Sequence, residues 1–207
     1  MARGRVETHP SRADAGRRHP FSAGISAGAS TGLPAGFTTE RGPRHPAPLP
    51  TDDGQESVWD YPRPPRVETV DAEVSITLDG QVVVQTYDVV RVLETSHPPV
   101  YYLPIAAFTA GSLLPAQGSS FCEFKGAARY YDLVAGARTA ARAGWEYPSP
   151  APGYEVLAGR IAVYAGLVDR CMVDGEVVVP QPGGFYGGWI TSTVVGPFKG
   201  VPGSSGW

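Results

Sequence analysis

Residues 73–86 read EVSITLDGQVVVQT: Val74, Ile76 and Leu78 alternate with polar positions, Asp79-Gly80 interrupts, and Val82, Val83 and Val84 resume the apolar run. Alternation sends every second side chain to one face of a strand, and Asp-Gly suits a two-residue hairpin turn, so this pattern predicts a β-hairpin. DVVRVLE (88–94) continues as a strand, and PVYYLP (99–104) as a short one closed by proline. A second hairpin is expected in ARYYDLVAGARTAARAGWEYP around Ala135-Gly136, and a third in CMVDGEVVV around Asp174-Gly175.

One segment carries the helical period. In GYEVLAGRIAVYAGLVDR the apolar residues Leu157, Ile161, Tyr164 and Val168 recur at spacings of four, three and four, which predicts a helix packed on a sheet, started by Pro152-Gly153. Many strands with one helix imply a mainly β, antiparallel domain over residues 56–179. Residues 1–55 are rich in Pro, Gly, Ser, Ala and Arg, show neither period, and are expected to form a disordered tail holding His9, His19 and His45. Residues 180–207 carry eight glycines interleaved with Phe185, Tyr186, Trp189, Phe198 and Trp207. Aromatic side chains favour burial, so this extension is expected to wrap back onto the domain.

Charge narrows the range of functions. Residues 1–50 hold seven arginines against three acids, whereas residues 51–207 hold ten Arg and Lys against seventeen acids. The expected folded part is therefore acidic, which argues against a nucleic-acid partner, since that affinity comes largely from basic surface. No apolar run approaches the ~20 residues of a spanning helix, so no membrane partner is expected. Two cysteines and no apolar leader point to the cytoplasm. No Gly-x-Gly-x-x-Gly follows a strand, so no dinucleotide or other cofactor is expected, and oligomeric state is left open.

ESVWDYPRPPRVE, ETSHPPVYYLP, FCEFKGAARYY, AGWEYPSP and AGRIAVY, in this order from Glu56 onward, resemble the bacterial family termed domain of unknown function 427, in its long form with a Gly-rich ending. The resemblance implies a compact β-tent-like fold, two antiparallel sheets leaning together, shared with the ligand-binding domain of cereblon. The family has no agreed activity, though a nucleotidyltransferase label has been attached to it. That chemistry wants clustered carboxylates after a Gly-Ser turn to hold magnesium, and Gly118-Ser119 is followed by none. Some β-tent proteins hold zinc with four cysteines; this chain has two, so no metal site is carried over.

Candidate chemistry gathers in two stretches. The chain has two lysines against fifteen arginines, and both, Lys125 and Lys199, stand in Phe-Lys-Gly. In FCEFKG, alternation sends Cys122 and Phe124 one way and Glu123 and Lys125 the other, with Gly126 permitting a tight bend. In ETSHPP, alternation puts Glu94 and Ser96 on one face and Thr95 and His97 on the other, before Pro98-Pro99 stiffens the corner. Each of the pairs Tyr101-Tyr102 and Tyr130-Tyr131 sends one ring to either face, where the outer member can line a cavity with Trp145 and Tyr147.

These residues support a small-molecule site between the two sheets. Lys125 would anchor an anionic metabolite and Glu94 or His97 would act as acid or base, with Ser96, Tyr101, Tyr102, Cys122, Tyr130, Tyr131 and Trp145 contributing to binding. The alternatives are a non-catalytic module for a ligand or peptide, a structural interaction domain without a cavity, and the nucleotidyltransferase of the family label. Whether the protein is an enzyme stays open at this stage.

Overall fold

The computed structural model describes residues 45–207, so the expected tail lies, as far as residue 44, outside the described residues, and His9 and His19 with it. Among the described residues the first strands are β1 (Glu56–Ser57), β2 (Arg66–Val70), β3 (Val74–Leu78), β4 (Gln81–Thr86), β5 (Val89–Leu93) and β6 (Val100–Pro104). Three long strands follow as a meander: β7 (Leu113–Cys122), β8 (Gly126–Ala135) and β9 (Arg138–Glu146). Short strands complete it: β10 (Arg160–Val163), β11 (Arg170–Val173), β12 (Glu176–Val177), β13 (Val179–Pro180), β14 (Trp189–Ile190) and β15 (Val194–Val195).

A seven-stranded sheet runs in the order β2-β5-β6-β10-β9-β8-β7, and a four-stranded sheet in the order β12-β11-β3-β4, both antiparallel throughout. The protein is thus mainly β. All three hairpin turns lie within a residue of the positions expected from sequence, at Asp79-Gly80, Gly136-Ala137 and Asp174-Gly175. Asp79 and Asp174 adopt φ of 50° and 47°, the left-handed conformation that Asp tolerates in such turns.

The packed α-helix expected over 153–170 does not form. A 3₁₀ turn at Glu155–Leu157, strand β10, a second 3₁₀ turn at Ala165–Leu167 and strand β11 take its place. Gly159, at φ 74°, breaks the chain just where a helix would have to run on. β10 sits mid-sheet between β6 and β9, so both its faces are covered and Ile161, Ala162 and Val163 are all buried. A strand buried on both faces loses period-two alternation, and its apolar run mimics a helical stripe.

β7 shows no sequence signal because it is the solvent-washed edge of the large sheet, mostly exposed and bulged between Ala116 and Ser119. FCEFKG, read as one strand, is instead the β7–β8 turn: Cys122 pairs with Gly126, and Glu123, Phe124 and Lys125 form the loop between them.

The large sheet buries both faces. Tyr101, Leu103, Leu133, Ile161 and Val163 pack against Val74, Ile76, Leu78 and Val84 of the small sheet. The opposite face carries Val90, Val92, Tyr102, Trp145, Tyr147 and Ala162. The C-terminal segment joins both: β14 pairs with β13, β15 pairs in parallel with β1, and Trp189 is buried in the inter-sheet core. Trp189 stacks on Tyr101 at 5.1 Å between ring centroids and donates from Nε1 to the Val163 carbonyl at 2.9 Å. Ahead of β1, the Leu49 amide donates to the Gly196 carbonyl, and the His45 ring lies 5.8 Å from that of Trp59. Among the described residues no helix is long and apolar enough to cross a membrane.

Candidate functional site

A cavity of about 250 Å³ opens on the outer face of the large sheet, lined by Glu94, His97, Lys125, Tyr102, Tyr130 and Trp145 among others. It does not lie between the sheets, as expected from sequence, because that space is filled by apolar side chains from both. Tyr102 and Tyr147 form a floor with Trp145, whose ring meets Tyr102 edge-on at 6.3 Å and Tyr164 at 4.4 Å. Burial pushes the hydroxyls of Tyr102 and Tyr147 well above the ordinary tyrosine value, and that of Tyr164 up to about 12. These rings therefore present neutral hydroxyls to whatever the cavity holds.

The polar end of the cavity is assembled by two turns. After β5 the chain turns through Glu94–His97, closed by a bond from the His97 amide to the Glu94 carbonyl at 2.9 Å. Strand alternation stops at Leu93, so Glu94 and His97 reach the same cavity rather than opposite faces. Ser96, third in this turn, takes φ 70°; its amide donates to Val58 and its carbonyl accepts from the Lys199 amide, both at 2.9 Å. Thr95 donates to the Tyr61 carbonyl. A turn pinned from both sides holds a residue that would otherwise avoid left-handed backbone.

The second turn brings Lys125, 7% exposed, to 3.8 Å from Glu94 Oε2. Arg63 donates to Glu94 Oε1 at 2.6 Å. Burial works to raise the Glu94 pKa, but the Arg63 hydrogen bond and the Lys125 charge outweigh it and hold the carboxyl below its ordinary value. Glu94 is thus ionised at neutral pH. Among the described residues Lys125 Nζ has no hydrogen-bond acceptor, so its donors are left to the cavity.

The third contribution comes from the C-terminal segment, which supplies Gln181, Phe185, Tyr186, Gly187 and Lys199 to the lining. Gly187 packs against the six-membered ring of Trp145, and a Cβ there would overlap it. Lys199 donates to the backbone oxygen of Trp207 at 2.5 Å, and burial, with Arg63 adding repulsion, lowers its pKa. The His97 ring meets Tyr186 edge-on at 4.5 Å and lies 3.1 Å, at Nδ1, from Gln181 Nε2. Burial, opposed by Glu94 and reinforced by Lys199, Arg63 and Lys125, holds the imidazole at about 4. His97 is therefore neutral at neutral pH.

Of the residues singled out in the sequence, Glu94, His97, Lys125, Tyr102, Cys122, Tyr130 and Trp145 line this cavity. Ser96, Tyr101 and Tyr131 do not. Tyr101 and Tyr131 face the inter-sheet core, and Tyr131 donates to buried Glu146 at 2.9 Å. Ser96 is buried in its turn with an unpartnered Oγ. The cysteines are both free, Cys122 partly exposed at the cavity and Cys171 buried. Arg63, Gln181 and Tyr186 were missed; Lys199 was marked only by its repeat of Phe-Lys-Gly. Among the described residues no three His, Cys, Asp or Glu side chains are grouped to hold a metal ion.

A family model described as a domain of unknown function, DUF427, matches residues 66–174, which is just over half of the chain. It takes in Glu94, His97, Lys125 and Trp145, and leaves out Arg63, Gln181, Tyr186 and Lys199. No curated protein matches the chain.

Proposed function

We propose that the chain, which belongs to the DUF427 family, binds a small anionic metabolite in the aromatic cavity, with Lys125 as the anchor for its charge. The observation that carries this reading is the state of Lys125: a side chain 9% exposed whose Nζ opens on the cavity, sharing its nearest carboxylate with Arg63 and without a hydrogen-bond acceptor of its own among the described residues. Charge-assisted hydrogen bonds are the strong ones, so an amine held this way, in a largely apolar cavity, is satisfied best by an anion from outside. The lining as a whole carries three cations, Arg63, Lys125 and Lys199, against Glu94 and Glu123.

The aromatic walls suit a ligand with a flat or apolar body behind its anionic group. Phe121 and Phe185, 78% and 76% exposed at the cavity's edge, extend that apolar surface outward. The polar groups favour binding over acid–base catalysis. Glu94 is tied to Arg63, and His97 Nδ1 is occupied by its contact with Gln181 Nε2. We read the two facing sheets as the β-tent arrangement, with the cavity on the outer face of the larger one.

The test is thermal unfolding of the full chain against a panel of small carboxylates and phosphate esters, since a ligand selective for the folded state raises its stability by mass action. At least one member is expected to raise the midpoint for the wild type and not for Lys125→Ala. Equal shifts in both proteins, or none across the panel, would overturn the reading.

A further inference from the structure

The wall supplied by the C-terminal segment contains a buried side chain whose polar atoms are all engaged. Gln181 Oε1 accepts from the Gly188 amide at 3.0 Å, and its Nε2 donates to the Lys199 carbonyl at 2.8 Å and lies 3.1 Å from His97 Nδ1. The two backbone partners fix the amide's orientation independently of the histidine. Reversing it would set donor against donor at Gly188 and acceptor against acceptor at Lys199. With Nε2 facing the ring, Nδ1 has to accept, so the imidazole is uncharged and its single proton sits on Nε2.

We propose that Gln181 is a positioning residue that fixes His97 in the neutral, Nε2-protonated form, so that the cavity meets its ligand with a hydrogen-bond donor and not with a base. Every element packed around the ring bears on this. Arg63 from the N-terminal segment, Lys125 from the β7–β8 turn and Lys199 from the C-terminal segment oppose a positive ring, and Glu94 on its own turn favours one. The Tyr186 ring covers it edge-on. Gln181 decides the balance chemically, because a second proton on Nδ1 would face its N–H.

The inference rests on the anion-binding reading and narrows it. A donor at His97 beside the Lys125 ammonium selects a group rich in acceptor oxygens, a carboxylate or a phosphate, and rejects an amine. Gln181 and Lys199 both lie outside the residues matched by the family model, so in this chain the C-terminal segment sets the state of the histidine.

The experiment is a long-range ¹H–¹⁵N correlation spectrum of the imidazoles in the full chain without added ligand, with His97→Phe to identify the signal. The Nε2–H pattern is expected to persist between about pH 5 and 8 without titrating. An Nδ1–H pattern, or a midpoint near the ordinary value of about 6.5, would overturn the proposal. Gln181→Glu places an acceptor opposite Nδ1 and is expected to move the proton there and raise the midpoint by about one unit or more. Gln181→Met, similar in shape but neither donor nor acceptor, is expected to leave both tautomers populated. A folded Gln181→Glu protein with an unchanged His97 signal also overturns it, and where neither variant folds the wild-type spectrum decides alone. Because the spectra need no ligand, an Nε2–H pattern in a protein that binds no anion would sink the proposed function and leave the role of Gln181 standing. Anion binding with an Nδ1–H pattern would do the reverse.

Discussion

Replacing Trp189 by Ala tests whether the glycine-rich C-terminal segment is part of the core or an appendage. The ring is 1% exposed, stacked on Tyr101 and bonded through Nε1 to Val163. A buried tryptophan removes about 150–250 Å² from water, which at about 25 cal/mol per Å² is worth roughly 4–6 kcal/mol. Some of that surface stays covered after truncation, and measured Trp-to-Ala losses in cores run to about 3–5 kcal/mol, so we expect a loss in that range. With a urea dependence of about 2 kcal/mol per molar, the midpoint should fall by about 2 M. Trp189→Phe keeps most of the stacked area but strands the Val163 carbonyl, and should cost only about 1–2 kcal/mol. Urea unfolding followed by circular dichroism reads both. A loss below about 1 kcal/mol for the Ala variant would refute the reasoning. So would a wild-type transition in two steps with the segment leaving first, since both would mean that Trp189 is not held as the packing implies.

Two further outcomes follow from buried groups. In the unfolded chain His97 titrates near 6.5, and in the folded protein burial holds it at about 4. Above the upper value both states are neutral and nothing changes. As pH falls between the two the unfolded chain takes up a proton that the folded protein refuses, so wild type should lose about 3 kcal/mol relative to His97→Phe, read by urea unfolding at stepped pH. Glu94, whose carboxyl is held below its ordinary 4.5, adds a loss only further into the acid range; a wild-type-minus-variant difference that stays flat from neutral to acid pH would contradict the His97 assignment. Cys122, partly exposed at the cavity, should be alkylated by iodoacetamide in the native protein, whereas Cys171, whose thiol burial pushes up, should react only after denaturation. Mass spectrometry distinguishes the two, and equal native reactivity would contradict the burial.

The hairpins were legible because their signal is local: Asp79-Gly80 and Asp174-Gly175 set the turn, and alternation sets the face. Alternation also split each tyrosine pair between two faces, but it did not say which ring goes where: Tyr102 and Tyr130 take the outer face, and Tyr101 and Tyr131, also expected at the site, turn inward. It failed wherever the strand ended sooner than assumed. Glu94 and His97 meet because a turn, not a strand, joins them, and Lys125 reaches the cavity from a loop. β10 was read as helix because a doubly buried strand has no polar face to mark its period. Gln181 carried no signal at all, since its role comes from Gly188, Lys199 and His97, one of which lies 84 residues away.

Titration calorimetry most directly tests whether the cavity is an anion site. It would use the carboxylate or phosphate that most raises the unfolding midpoint, measured in parallel on wild type, Lys125→Ala and Lys125→Arg. A charge-assisted hydrogen bond lost from the lysine is worth about 1.5–3 kcal/mol, so the Ala variant should bind roughly 10- to 100-fold more weakly. The Arg variant, which keeps the charge but not the shape, should fall between. Equal affinities in all three proteins would mean that the anion sits elsewhere and that Lys125 anchors nothing.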